Sequence, residues 1–232
     1  MEDSEKDIIR NRQKGETEML NRELEAYISE HEEEALELLR ELARIPAPSG
    51  QEEERARFCR EWLEKQGAKG VYMDEAMNVV YPADVPGEGP LEVFMAHMDV
   101  VFPDRKPLPL SERDGRIYCP GVGDDTACLV CLLMAAKYIA TRKDPEEWKR
   151  LRGKDAPGLL LVCNTGEEGL GNLKGVREIC SRWGDRISSF CTFDSTFGSI
   201  VNRAVGSMRY RVQVETEGGH SYRCFGADNA IE

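Results

Sequence analysis

Three short apolar runs constrain the fold more than any other feature: LEVFMA (91–96), GLLLVCN (158–164) and ISSFCTF (187–193). Runs of this length, rich in β-branched and aromatic residues and bounded by turn residues, read as strands. Helical stretches from Cys128 to Ala140 and from Leu173 to Trp183 precede the second and third. Strands apolar on both faces and alternating with helices predict an α/β domain, a mostly parallel sheet flanked by helices. VYMD (71–74) and NVVYPA (78–83) add two strands ahead of these.

Apolar residues at helical spacing (Leu20, Leu24, Ile28, Leu36, Leu39, Leu42, Ala43) predict a helix from about Glu23 to Arg44, closed by Pro46 and Pro48. Ser49-Gly50-Gln51-Glu52 reads as a capping box opening a second helix that runs to about Gln66. The charged stretch TRKDPEEWKRLRGKDAP (141–157) reads as a solvated connection. Beyond Asp194, Met208, Tyr210, Val212 and Val214 alternate with Arg209, Arg211, Gln213 and Glu215, the pattern of a strand buried on one face. The chain therefore divides at about residue 203 into a domain over 1–203 and the beginning of another over 204–232.

At 232 residues the chain has room for one well-cored domain and part of a second. Its net charge of -12 argues against a nucleic-acid partner, which calls for a basic face. No apolar stretch approaches the length of a membrane span. The N-terminus is charged from its second residue and lacks the apolar core of a secretory signal, so a cytoplasmic location is expected. The eight cysteines lie mostly inside apolar runs, which favours buried free thiols over disulfides, and Cys128-x-x-Cys131 falls within a helical run without a second pair at zinc-finger spacing.

Chemistry collects where strands end. LEVFMA runs into His97-Met98-Asp99, GLLLVCNTG into Glu167-Glu168, and FCTF into Asp194. Ligands of open α/β sheets bind at the carboxyl ends of strands. Each ending alone is more readily explained as a strand entering solvent, and a lone H-x-D as a core histidine tied to an aspartate. Together they suggest an imidazole and several carboxylates converging on a divalent cation. Gly121-Val122-Gly123-Asp124-Asp125 precedes the long apolar helix, where a carboxylate is either an N-cap or, with its two oxygens, a bridge between two cations. Glu167 and Glu168 allow one side chain to bind metal while the other serves as general base, although a solvated acidic loop explains them equally well. Neither a phosphate loop, a dinucleotide fingerprint nor a serine-hydrolase elbow is present.

The ordered set MAHMDVV, GVGDDTA, NTGEEGLGN, FDS and EGGHS resembles the peptidase T, carboxypeptidase G and aminoacylase family of metallopeptidases over roughly Leu36 to the end. The resemblance implies a zinc-exopeptidase-like catalytic domain over 1–203, then the start of an α+β lid or dimerisation domain over 204–232. It implies two zinc ions, with cobalt or manganese as substitutes. His97 and Asp194 would hold one, Asp124 would bridge, and Glu168 would hold the other. Asp99 would orient His97, Glu167 would act as general base, and His220 would contact substrate. The reaction implied is hydrolysis of an amide bond in a small peptide or N-acyl amino acid. Thr126-Ala127 stands where many members carry Lys-Gly. Members are also longer and supply a C-terminal histidine to the Glu168 metal. His31, the only other histidine besides His97 and His220, lies on the acidic N-terminal helix. The expectation is thus a truncated chain, joined by a lid-mediated homodimer or a complementary C-terminal chain; the alternative is a non-catalytic remnant.

Overall fold

The structure is a computed structural model and describes residues 22–142, 148, 152–153, 155–195, 198–203, 205–206, 208, 210–220, 222–228 and 230. The chain falls into two compact units, Met1–Phe197 and Gly198–Glu232. The N-terminal segment before residue 22, and much of the 141–157 connection, lie outside the described residues.

The helices of the first unit are α1 (Glu32–Arg44), α2 (Glu53–Lys65), α3 (Ala127–Ala140) and α4 (Lys174–Trp183). Residues 22–30 are also helical, so the expected Glu23 to Arg44 helix is present but interrupted at His31. There the ring Nδ1 of His31 lies 2.8 Å from the Tyr27 carbonyl, competing with the backbone for that acceptor. Glutamates 32, 33 and 34 in the first turn of α1 and Arg44 in its last complement the helix dipole.

The described residues form seven strands: β1 (Tyr72–Met73), β2 (Val79–Asp84), β3 (Leu91–His97), β4 (Ser111–Arg113), β5 (Arg116–Tyr118), β6 (Gly158–Asn164) and β7 (Ile187–Thr192). Five form the main sheet in the order β1-β2-β6-β3-β7, while β4 and β5 make a separate hairpin. The strands β6, β3 and β7 are mutually parallel, linked by crossovers that contain α3 and α4. β1 pairs antiparallel with β2, and β2 antiparallel with β6, so the mostly parallel sheet is mixed by one reversed strand, β2, while the other four run in the same direction. The reason is connection length: the links between β1 and β2 and between β2 and β3 are too short to hold a crossover helix, so each reverses the chain.

Alternation along β6 serves both faces. Leu159, Leu161 and Cys163 pack with Leu38, Leu42, Cys59, Leu63, Leu129 and Leu133 of α1, α2 and α3. Leu160 and Val162 turn the other way, joining Val80, Val93, Met95 and Ile179 of α4. Helices thus cover both faces, and α3 is apolar nearly all round because it is buried by α1 and α2 as well as by the sheet.

In the second unit the described residues between 208 and 214 form no strand, and Met208, Tyr210, Val212 and Val214 are exposed. The alternation is present, but a strand exists only through hydrogen bonds to a neighbour, and the described residues of this unit offer none. All eight cysteines are free. Cys59, Cys128 and Cys163 are buried as expected, whereas Cys131, Cys180 and Cys224 are exposed. No described helix is long and apolar enough to cross a membrane.

Leu160 is fully buried in the middle of the central strand β6. Leu160→Ala is expected to lower unfolding free energy by about 3 kcal/mol, measured as a shift in urea midpoint at unchanged slope.

Candidate metal centre

Parallel pairing puts the carboxyl ends of β3, β6 and β7 along one edge of the sheet. His97 is the last residue of β3, Thr165 to Glu168 follow β6, and Asp194 lies two residues past β7. Asp124 comes from the kinked segment Val122–Thr126 that leads into α3, where its own backbone is not helical (φ -122°, ψ 96°). It is no N-cap: the residue before α3 is Thr126, and no side chain caps that helix. Thr126 instead donates its hydroxyl to the Gly121 carbonyl at 2.7 Å.

The imidazole of His97 is buried, and its Nδ1 lies 2.9 Å from the Asp99 carbonyl oxygen. A carbonyl can only accept, so Nδ1 carries the proton. The opposite nitrogen, Nε2, faces Asp124 Oδ1 at 3.3 Å. Burial disfavours a charged ring here, but the hydrogen bond the ring donates to Asp99 and the fields of Asp125, Asp99 and Glu167 outweigh it and raise the His97 pKa to about 9.

Asp99 is buried completely and does more than face His97. Its Oδ1 accepts the Glu167 N–H at 3.0 Å, and its Oδ2 accepts the Glu168 N–H at 2.9 Å and the Ser49 hydroxyl at 2.7 Å. Burial alone would raise its pKa, but bonds from His97, Ser49 and these two amides hold it below the usual carboxylate range.

Two sets of side chains bring ligand atoms within 4.8 Å of one another: His97 with Asp124 and Glu168, and His97 with Glu167 and Asp194. Glu167 therefore stands with His97 and Asp194 as a candidate ligand, a placement that the division into one ligand and one base does not anticipate. The pKa of Glu167 is raised, first by burial, with His97 opposing and Asp194, Asp99 and Asp124 adding to the rise. Glu168 is raised by burial and then by Asp124. Carboxylates crowded in this way repel one another, and a divalent cation would relieve that repulsion. An imidazole with its far nitrogen tied to a carbonyl, beside the half-buried Glu167 and Glu168 and the exposed Asp124 and Asp194, suits such an ion.

His31 lies between the 22–30 helix and α1, beside Tyr27. His220 is exposed in the second unit, where its Nδ1 accepts the Tyr222 N–H at 3.3 Å.

Several supporting residues have only a faint sequence signal. The expected capping box does not form: no side chain caps α2, and Ser49 serves Asp99 instead. Glu52 is buried, accepting from the Gly50 and Gly166 amides and pairing with Lys174. Arg55, also fully buried, donates to the carbonyls of Ile45 and Met98, and burial lowers its pKa to about 10. Asn78, just before β2, accepts the Thr165 N–H at 3.1 Å and donates to the Gly175 carbonyl at 3.0 Å. Asp125 turns inward and accepts the His97 N–H at 3.1 Å; burial raises its pKa to about 7, and its second oxygen has no hydrogen-bond partner.

Residues 93–224 match the sequence profile of "Peptidase family M20/M25/M40". The LysW-lysine hydrolase of Deinococcus radiodurans is 38% identical over 103 residues, 44% of this chain and 26% of that protein. A tripeptidase from Staphylococcus aureus superimposes with a TM-score of 0.51 at 26% identity, covering 70% of this chain and 43% of the other. Human carnosine dipeptidase 1 shares the fold, with a TM-score of 0.53 at 17% identity over 73% of this chain and 40% of its own. The chain spans less than half the length of each of these proteins. With its profile match extending over more than half its length, the chain belongs to peptidase family M20/M25/M40.

Proposed function

We propose that this chain carries the metal-holding and proton-transferring part of a hydrolase that cleaves an amide bond in a small peptide or N-acyl amino acid. One observation carries the reading: two triads of ligand atoms share His97 at the carboxyl ends of parallel strands. Within the family, the five ordered motifs support a place near peptidase T, carboxypeptidase G and the aminoacylases.

In this reading His97 and Asp194 would hold one divalent ion, Glu168 would hold a second, and Asp124, whose carboxylate lies in the cluster with His97 and Glu168, would serve both. Zinc fits the mixed imidazole and carboxylate set, as do cobalt and manganese. Such ions would supply a Lewis acid for the scissile carbonyl and acidify a bound water. Glu167 is the general base, because its carboxylate is half-buried, burial raises its pKa, and it projects from the loop that Asp99 holds. It takes a proton from the attacking water and later delivers it to the leaving amine. Asp99 fixes the tautomer of His97, so that Nε2 keeps its lone pair for the ion, and it pins the backbone from which Glu167 and Glu168 project. His220 would contact substrate, and a lid formed from residue 204 onward would mediate dimerisation.

Calorimetric titration of the chelator-treated chain with zinc is expected to show tight binding, weakened at least tenfold in both His97→Ala and Glu168→Ala. Equal affinity in the parent and both variants would sink the metal assignment. Because His97 stays protonated up to about 9, a cation must displace that proton, so affinity should rise about tenfold per pH unit below that value. A flat profile between pH 6 and 8 would contradict the His97 role. Glu167→Gln should leave zinc affinity within about threefold of the parent while cutting dipeptide hydrolysis by about 100-fold or more. If it costs as much affinity as Glu168→Ala, Glu167 is a ligand and the base assignment falls.

A further inference from the structure

The loop after β6 is held amide by amide. The N–H groups of Glu167 and Glu168 are taken by the two oxygens of Asp99. The amide before them, Gly166 N–H, is taken by a different carboxylate, Glu52 Oε1, at 3.0 Å. Glu52 is 1% exposed, and its other oxygen meets the Lys174 ammonium at 2.9 Å. A buried carboxylate is costly unless paired and hydrogen-bonded, and Glu52 is both.

The arrangement closes on itself. A Cβ added to Gly166 would lie 2.5 Å from Cγ of Lys174, so the lysine stem rests against the backbone of the residue whose N–H its ionic partner holds. Gly166 also has a positive φ of 64°, which a larger residue would adopt only under strain. One residue on, Gly175 N–H donates to the Thr165 carbonyl at 3.1 Å. The first turn of α4 is thereby fastened to the loop that presents Glu167 and Glu168. The turn before α2 is fastened to the same loop, because Glu52 Oε1 also accepts Gly50 N–H at 2.8 Å, and Ser49 of that turn holds Asp99.

We propose that Glu52 and Lys174 are positioning residues: an ion pair between a buried carboxylate and a partly exposed ammonium that locks the backbone at Gly166 and so fixes where the Glu167 and Glu168 carboxylates stand relative to His97. The inference rests on the reading that those carboxylates serve a metal centre. Neither side chain of the pair is itself in either ligand triad. The loop is hydrogen-bonded from both sides, and only the Asp99 side belongs to the centre; the Glu52 side is a separate support.

The test uses three substitutions in the full chain. Lys174→Met keeps the stem on Gly166 and removes the charge, Lys174→Arg restores the charge, and Glu52→Gln keeps an acceptor but not an anion. Amide hydrogen exchange in the metal-free chain reads the clamp; titration with Co(II) alone, followed by its visible absorption, reads the centre. In Lys174→Met and Glu52→Gln, exchange at Gly166 and Gly50 should accelerate at least tenfold while Leu160 and Val162 of β6 stay within twofold. Cobalt affinity should fall at least fivefold with a changed absorption band, and Lys174→Arg should recover most of both. Unaltered exchange at Gly166, or an acceleration spread equally along β6, would overturn the proposal. So would unchanged cobalt affinity in a variant whose Gly166 amide has been released. A parent chain that binds no cobalt would sink the metal reading itself, and the exchange comparison would still decide whether the clamp exists.

Discussion

Asp99 is the interaction on which the site turns. Its two carboxylate oxygens receive a serine hydroxyl from the turn before α2 and two consecutive amides from the loop after β6, and its backbone carbonyl receives the His97 ring. Three stretches far apart in sequence therefore share one anion. In a buried position such a group is stable only because it is multiply hydrogen-bonded, and the depressed pKa records that balance. Hydrogen bonds to a charged acceptor are among the stronger ones available, so the order they impose on Glu167 and Glu168 is considerable.

The architecture makes this convergence inexpensive. Parallel strands deliver their carboxyl ends to one edge without any special loop, and a bridge between Pro48 and Val100 brings the 48–52 turn alongside. Arg55 then ties α2 to the carbonyls of Ile45 and Met98 from beneath. The polar groups under the site are mostly used by one another, and rigidity there follows from saturation more than from tight apolar packing.

Much of this was legible in the sequence, and the limits have physical causes. The strands β2, β3, β6 and β7 follow from apolar runs bounded by turn residues, and His97, Asp124, Glu167, Glu168 and Asp194 could be singled out because polar residues stood where such runs end. The direction of β2 was not legible, since strand polarity depends on connection length and pairing rather than on residue type. Ser49 and Glu52 were visible as a pattern but misread: S-x-x-E satisfies local donors when a helix starts in isolation, and here tertiary donors and acceptors outcompete the local ones. Lys174 gave no signal, because a lysine at a helix start looks like surface until its partner is known. The alternation from Met208 to Val214 records a face to be covered without saying by what.

The reversed strand β2 has one more effect. Because it runs against its neighbours, its entrance rather than its exit lies at the active edge, and Asn78 occupies that entrance. Asn78 is set in turn by Asp74, whose carboxylate accepts the N–H groups of Ala76 and Asn78 and the Asn78 side-chain amide. A peripheral turn between the edge strand β1 and its neighbour β2 is consequently wired into the backbone of Thr165, three residues from Glu168. Support for the site therefore does not follow depth: the partly exposed Asp74 holds the buried Asn78, and Asn78 holds the loop after β6 and the first turn of α4.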